Sequence, residues 1–190
     1  MSHDVFSLNN YLIRRRVVKI VGASFDVFHN DEAVAFTSQK AFKLKEDIAV
    51  FRDETMTTAL LRIGARSIVD FSAAYDIWDA STEARIGCAQ RRGMKSLIRD
   101  AWDLLDADER VLGQVAEDSP WKALVRRALT NLIPQSFHLK VTGQEDVIFK
   151  QRWNPFVYRL EVSIPETCTL DRRLILAMAI LIAAIEGRQA

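Results

Sequence analysis

The chain reads as α+β and mainly β: a run of hairpins wrapped around one buried C-terminal helix. Three observations predict this class. Leu174–Ile185 is twelve apolar residues with no polar side chain among them. Before it, an apolar run, a polar tip and a second apolar run recur five times. Finally, 7 Gly and 4 Pro in 190 residues leave little room for long linkers, so a single domain over residues 1–190 is expected.

The five copies pair 25–29 with 33–36, 48–52 with 59–63, 75–79 with 84–88, 102–106 with 111–115, and 138–141 with 147–149. Aromatic and β-branched runs around Asp, Asn, Ser or Gly tips are the signature of hairpins. The acidic tips have a local reason, because Asp and Asn hydrogen-bond their own backbone in turns. Tandem hairpins make a meander, which closes into a barrel or folds into a sandwich. A further strand is expected over 156–164. There Phe156, Tyr158, Leu160, Val162 and Ile164 share one face, Arg159, Glu161 and Ser163 the other, and Pro165 ends the run.

Two segments have helical character. In 119–133, Trp121, Leu124, Val125, Ala128, Leu129 and Leu132 recur at helical spacing behind Ser119 and Pro120, with Lys122, Arg126 and Arg127 mainly on the other side. This predicts an amphipathic helix with a basic face. The terminal stretch is apolar all round, so it needs burial on every side. Its twelve residues span ~18 Å, against a bilayer core of about 30 Å, so it does not cross a membrane. Thr169 or Asp171 suits its N-cap, and Glu186-Gly187 its end.

This order of elements, with Asp171-Arg172-Arg173 leading into a wholly apolar terminal helix, resembles the tubby-like superfamily over about Tyr11 to Glu186. It is most similar to the LURP-one-related and phospholipid-scramblase-like branch. The resemblance implies a closed antiparallel barrel of about twelve strands with the C-terminal helix threaded through it. Physics points the same way: a closed barrel has no free edges and needs an apolar filler. Leu174, Ile175, Leu176, Met178, Ile180, Leu181, Ile182 and Ile185 offer an upper-bound gain on the order of 10–20 kcal/mol on burial.

Little in the chain suggests catalysis. His3, His29 and His138 lack partners at metal-ligand spacing. Asp106–Val111 lacks the glycine and the third acidic or amide ligand of a calcium loop, unlike what the calcium-responsive scramblase-like relatives suggest. No phosphate loop, nucleophile elbow or HExxH occurs, so no catalytic residue, metal or cofactor is expected. Cys88, in an apolar alternating run, reads as a buried free thiol; the sequence leaves a disulfide with Cys168 open, although nothing in it points to an oxidising compartment. With a net charge of +1, the whole chain offers no field for nucleic acid. The N-terminus has no basic leader before an apolar run, so a cytoplasmic location, peripheral at a membrane, is the expectation.

The charge is nonetheless segregated. Residues 84–99 and 119–144 contain no carboxylate. Arg14, Arg15 and Arg16, then Arg91, Arg92 and Lys95, then Lys122, Arg126 and Arg127 form basic windows. Brought together, they would suit anionic phospholipid headgroups, each basic residue contributing about 1 kcal/mol near a surface. Tubby-type relatives bind phosphoinositides through exterior basic side chains, so the resemblance implies a non-enzymatic lipid-binding module. A protein–protein scaffold is the alternative, and a hydrolase with its site in the barrel mouth is a third reading.

Overall fold

The computed structural model describes residues 4–16, 23–39, 48–66, 74–92, 101–117, 134–154 and 156–186. Every one of the five expected pairs is an antiparallel hairpin: β2 (Ala23–His29) with β3 (Glu32–Gln39), β4 (Ile48–Phe51) with β5 (Ala59–Ala65), β6 (Ala74–Asp79) with β7 (Arg85–Arg91), β8 (Ala101–Asp106) with β9 (Val111–Glu117), and β10 (Ser136–Lys140) with β11 (Val147–Arg152). β1 (Asn10–Arg15), absent from the repeat, pairs with β2 on one side and with β12 (Arg159–Ser163) on the other. It closes a twelve-strand antiparallel barrel among the described residues. The expected amphipathic helix at 119–133 lies outside the described residues.

The tips bear out the turn chemistry. The Asp53, Asp79 and Asp106 carboxylates accept from the amides of Thr55, Ser81 and Asp108 at 2.9, 2.8 and 2.8 Å. Asn30 and Asp31 both take positive φ, as a two-residue turn between twisted strands requires. In β2–β3, β4–β5, β6–β7 and β8–β9 the register shifts just before the tip. Such bulges increase strand twist, which helps a meander curl shut.

Alternation sends Tyr11, Ile13, Phe25, Val27, Leu61, Ile63, Leu104, Phe137, Leu139, Phe149, Leu160 and Val162 into the lumen, all nearly inaccessible. The helix α1 (Arg172–Glu186) fills it. Leu174 to Ala184 are at most 3% exposed, and the helix contacts both β1 and β7, which stand on opposite sides of the closed order. Asp171 is its N-cap, accepting from the Arg173 amide at 2.8 Å. The helix enters at the end of the barrel formed by the hairpin tips. Arg173 seals that mouth by bridging Asp171 and Asp79, the latter at 2.6 Å, while Arg172 donates to the Cys168 carbonyl and to Asn9. Gly87 makes room there. A Cβ on it would run into the Leu105 carbonyl oxygen and come within 2.9 Å of Leu174 Cδ2.

One boundary differs from the expected strand. β12 begins at Arg159, and Phe156 is 84% exposed, although it shares the period of Tyr158 and Leu160. The Asn154 side chain accepts from the Phe156 and Val157 amides, both at 2.9 Å, and this local turn replaces the ladder.

Candidate anion-binding flank

The positions that alternate with the lumen residues on β10, β11, β12 and β1 form one outer flank. They are Ser136, His138 and Lys140; Ile148, Lys150 and Arg152; Arg159, Glu161 and Ser163; Asn10, Leu12 and Arg14. Lys140, Lys150, Arg152, Arg159 and Arg14 stand against the single carboxylate Glu161.

Three of the cations form a row. Arg14 is the register partner of Arg159, and Arg159 that of Arg152, so three arginines stand in register on one face across three strands. Like charges placed opposite each other on a sheet are destabilising. The outer two are partly compensated. Arg152 Nε meets Glu161 at 2.6 Å; Arg14 lies 3.7 Å from Asp26 and 4.5 Å over the Phe28 ring. The central Arg159 is half-buried, and its Nε is shielded from water without a hydrogen-bond partner. Leaving a buried donor unsatisfied costs about 1–3 kcal/mol, and more for a charged group. The flank thus holds cations in excess of what its fold neutralises. Directly beyond the row, at the end of the barrel away from the tips, Trp153 and Phe156 are 61% and 84% exposed.

The basic windows fall as follows. Arg14 belongs to the row. Arg16 is clamped by both Asp26 oxygens at 2.8 and 2.9 Å and by Glu54 at 2.8 Å, and these bonds hold its guanidinium firmly protonated. Arg15 shares the lumen side of β1 with Tyr11 and Ile13. Arg92 Nε donates to Asp103 at 2.8 and 2.9 Å, and Arg91 lies 5.9 Å from the Trp102 ring centre. β1 and β7 are half the circumference apart, so the first two windows do not share a face. Lys95, Lys122, Arg126 and Arg127 lie outside the described residues. Lys140, Lys150, Arg152 and Arg159 complete the flank instead. Their visible trace in the sequence is alternation: 150 with 152, and 159 with 161, on one side of their strands.

The opposite flank, β5 to β8, is built differently. Asp76 takes Arg66 Nε at 3.0 Å and Arg85 Nε at 2.7 Å, and Glu109 takes Arg66 at 2.8 Å. Burial pushes the Asp76 carboxyl up, but the hydrogen bonds from Arg66 and Arg85 outweigh it and leave the net pKa below the usual carboxylate range. Beneath this network Cys88 is buried and free, and burial pushes its thiol up.

A cleft of about 380 Å³ opens between β4, β5 and β6, with Arg62 stacked 4.4 Å over Trp78 in its wall and Asp79 and Glu83 at its edge. Asp79 is committed to structure: hydrogen bonds from Ser81, then Arg173 and the Ser81 and Thr82 amides, hold it ionised well below the usual range. It is an acceptor there, with no proton to give near neutral pH. Among the described residues no group of three His, Cys, Asp or Glu could hold a metal, and Asp106 is occupied with the amides of Asp108 and Arg110.

Comparison with family models, with curated proteins and with solved structures returns no match for this chain.

Proposed function

We propose that the protein is a non-enzymatic tubby-like module that docks on anionic phospholipid headgroups, phosphoinositides among them, through the β10–β11–β12–β1 flank. The observation that carries this reading is the Arg14–Arg159–Arg152 row, three register neighbours of like charge that meet carboxylates only at the two ends. Guanidinium groups suit phosphate oxygens because their planar fork donates in pairs. A phosphate over the row would relieve the mutual repulsion that the fold leaves in place. The barrel around a hydrophobic helix is the architecture the family resemblance implies, which supports the tubby-like part of the reading.

The reading places the protein on a membrane rather than across one. Among the described residues no helix is long and apolar enough to span a bilayer. Among the described residues the lumen is mainly apolar and the outward positions of β10, β11, β12 and β1 carry charges, the reverse of a membrane-spanning barrel.

Vesicle co-sedimentation tests the proposal. Neutral phosphatidylcholine vesicles should leave the protein in the supernatant. Vesicles containing phosphatidylserine or a phosphoinositide should pellet it at low salt, and progressively less as salt shortens the Debye length. No pelleting with any anionic lipid at low salt would reject the reading.

A further inference from the structure

We infer that Trp153 and Phe156, in the β11–β12 connection, insert into a membrane, so that the barrel docks end-on with the arginine row at headgroup depth. This rests on the lipid-binding reading and adds the depth, orientation and salt response of the bound state.

Four observations converge. Phe156 and Trp153 are the two most exposed large apolar side chains among the described residues, at 84% and 61%, and they belong to one short connection. Their neighbour Val157 is half-buried and Tyr158 is 5% exposed, so the exposure is selective rather than that of a loose loop. The connection is built to present them: Asn154 accepts from the Phe156 and Val157 amides and holds the turn. Finally, Arg152 immediately precedes the connection and Arg159 immediately follows it, with Arg14 alongside.

Exposed aromatic side chains within a connection flanked by Arg152 and Arg159 match the layering of an anionic bilayer surface, where rings settle at the headgroup–acyl boundary and basic groups meet phosphate. Charge complementarity favours this occupant over an apolar protein groove, which would leave three crowded guanidinium groups at its rim. The two parts of the contact answer to different variables. The arginine part weakens with salt; the aromatic part, being apolar burial, does not.

The test uses an environment-sensitive fluorophore on Phe156→Cys in the full chain. Cys88 and Cys168 are buried, so the new thiol is the accessible one. Thr57→Cys, on an exposed connection at the opposite end, is the control site. On phosphatidylserine vesicles the label at 156 should shift to the blue and be quenched by nitroxides in the acyl chains, while the label at 57 does neither. In unlabelled protein, a fraction of binding should survive high salt, and the Trp153→Ser/Phe156→Ser double variant should lose that fraction while keeping low-salt binding.

Vesicle binding with an unshifted, unquenched label at 156 overturns the insertion and leaves the headgroup reading standing. Absence of vesicle binding overturns both. Self-association abolished by the double variant, without vesicle binding, assigns the loop to a protein contact and likewise overturns insertion.

Discussion

The two flanks of this barrel use the same residue in opposite ways. On β5–β8, Arg66 and Arg85 converge on Asp76 and Glu109, and Arg92 on Asp103; charge there ties neighbouring strands and tips together. On β10–β1, Arg14, Arg159 and Arg152 face one another, with Glu161 and the shared Asp26 at the margins. Among the described residues, Arg66, Arg85 and Arg92 are each paired with a carboxylate, whereas the Arg14–Arg159–Arg152 row meets carboxylates only at its two ends. Arginine on the first flank should show up in stability, and on the second in binding.

The broadest way to strain the comparison is to remove the support both flanks share. Leu176 is fully buried in α1, which contacts β1 and β12 on one flank and β5, β6 and β7 on the other. Leu176→Ala should cost about 2–5 kcal/mol, read as a lower urea midpoint. Asp76→Ala comes next. It strips the shared acceptor from Arg66 and Arg85, and should cost about 2–3 kcal/mol in urea unfolding while leaving vesicle binding unchanged.

The same carboxyl sets an acid limit. Its folded pKa is depressed, so its stabilisation is complete above its unfolded value of about 4 and is lost as the pH falls through the lower folded value. Melting temperature against pH should fall on the acid side in the native protein, and the fall should be shallower in Asp76→Asn.

Arg159→Gln gives the smallest effect on stability and the sharpest contrast. Removing one of three facing charges should change stability by less than about 1 kcal/mol, in the stabilising direction. It should weaken binding to anionic vesicles about fivefold, the worth of one basic residue near a surface.

How these elements were written in the chain differs between fold and site. Hairpins are local: each tip and its two runs lie within one short window, and the Asp53, Asp79 and Asp106 turns follow from chemistry two residues away. The terminal helix was legible because nothing but a lumen could accept it. β1 was less so, since its period is short and its basic end drew attention to charge. Phe156 kept the strand's rhythm, but one amide side chain, Asn154, overrode it.

The flank was only partly legible. Basic windows group residues along the chain, whereas a barrel groups them across it. Only register places Arg14 beside Arg159 and Arg152, and puts Arg91 and Arg92 on the far side.

Charge-matched substitution of the two flanks tests the central claim most directly. Vesicle affinity should be measured for Arg14→Gln/Arg152→Gln/Arg159→Gln and for Arg62→Gln/Arg92→Gln/Arg110→Gln, each losing the same net charge. The account predicts a loss of about a hundredfold for the first set, from three contributions of about 1 kcal/mol, and little change for the second. Equal losses in both sets would mean that the protein responds to anionic surfaces only through its total charge, and the flank would have no special role.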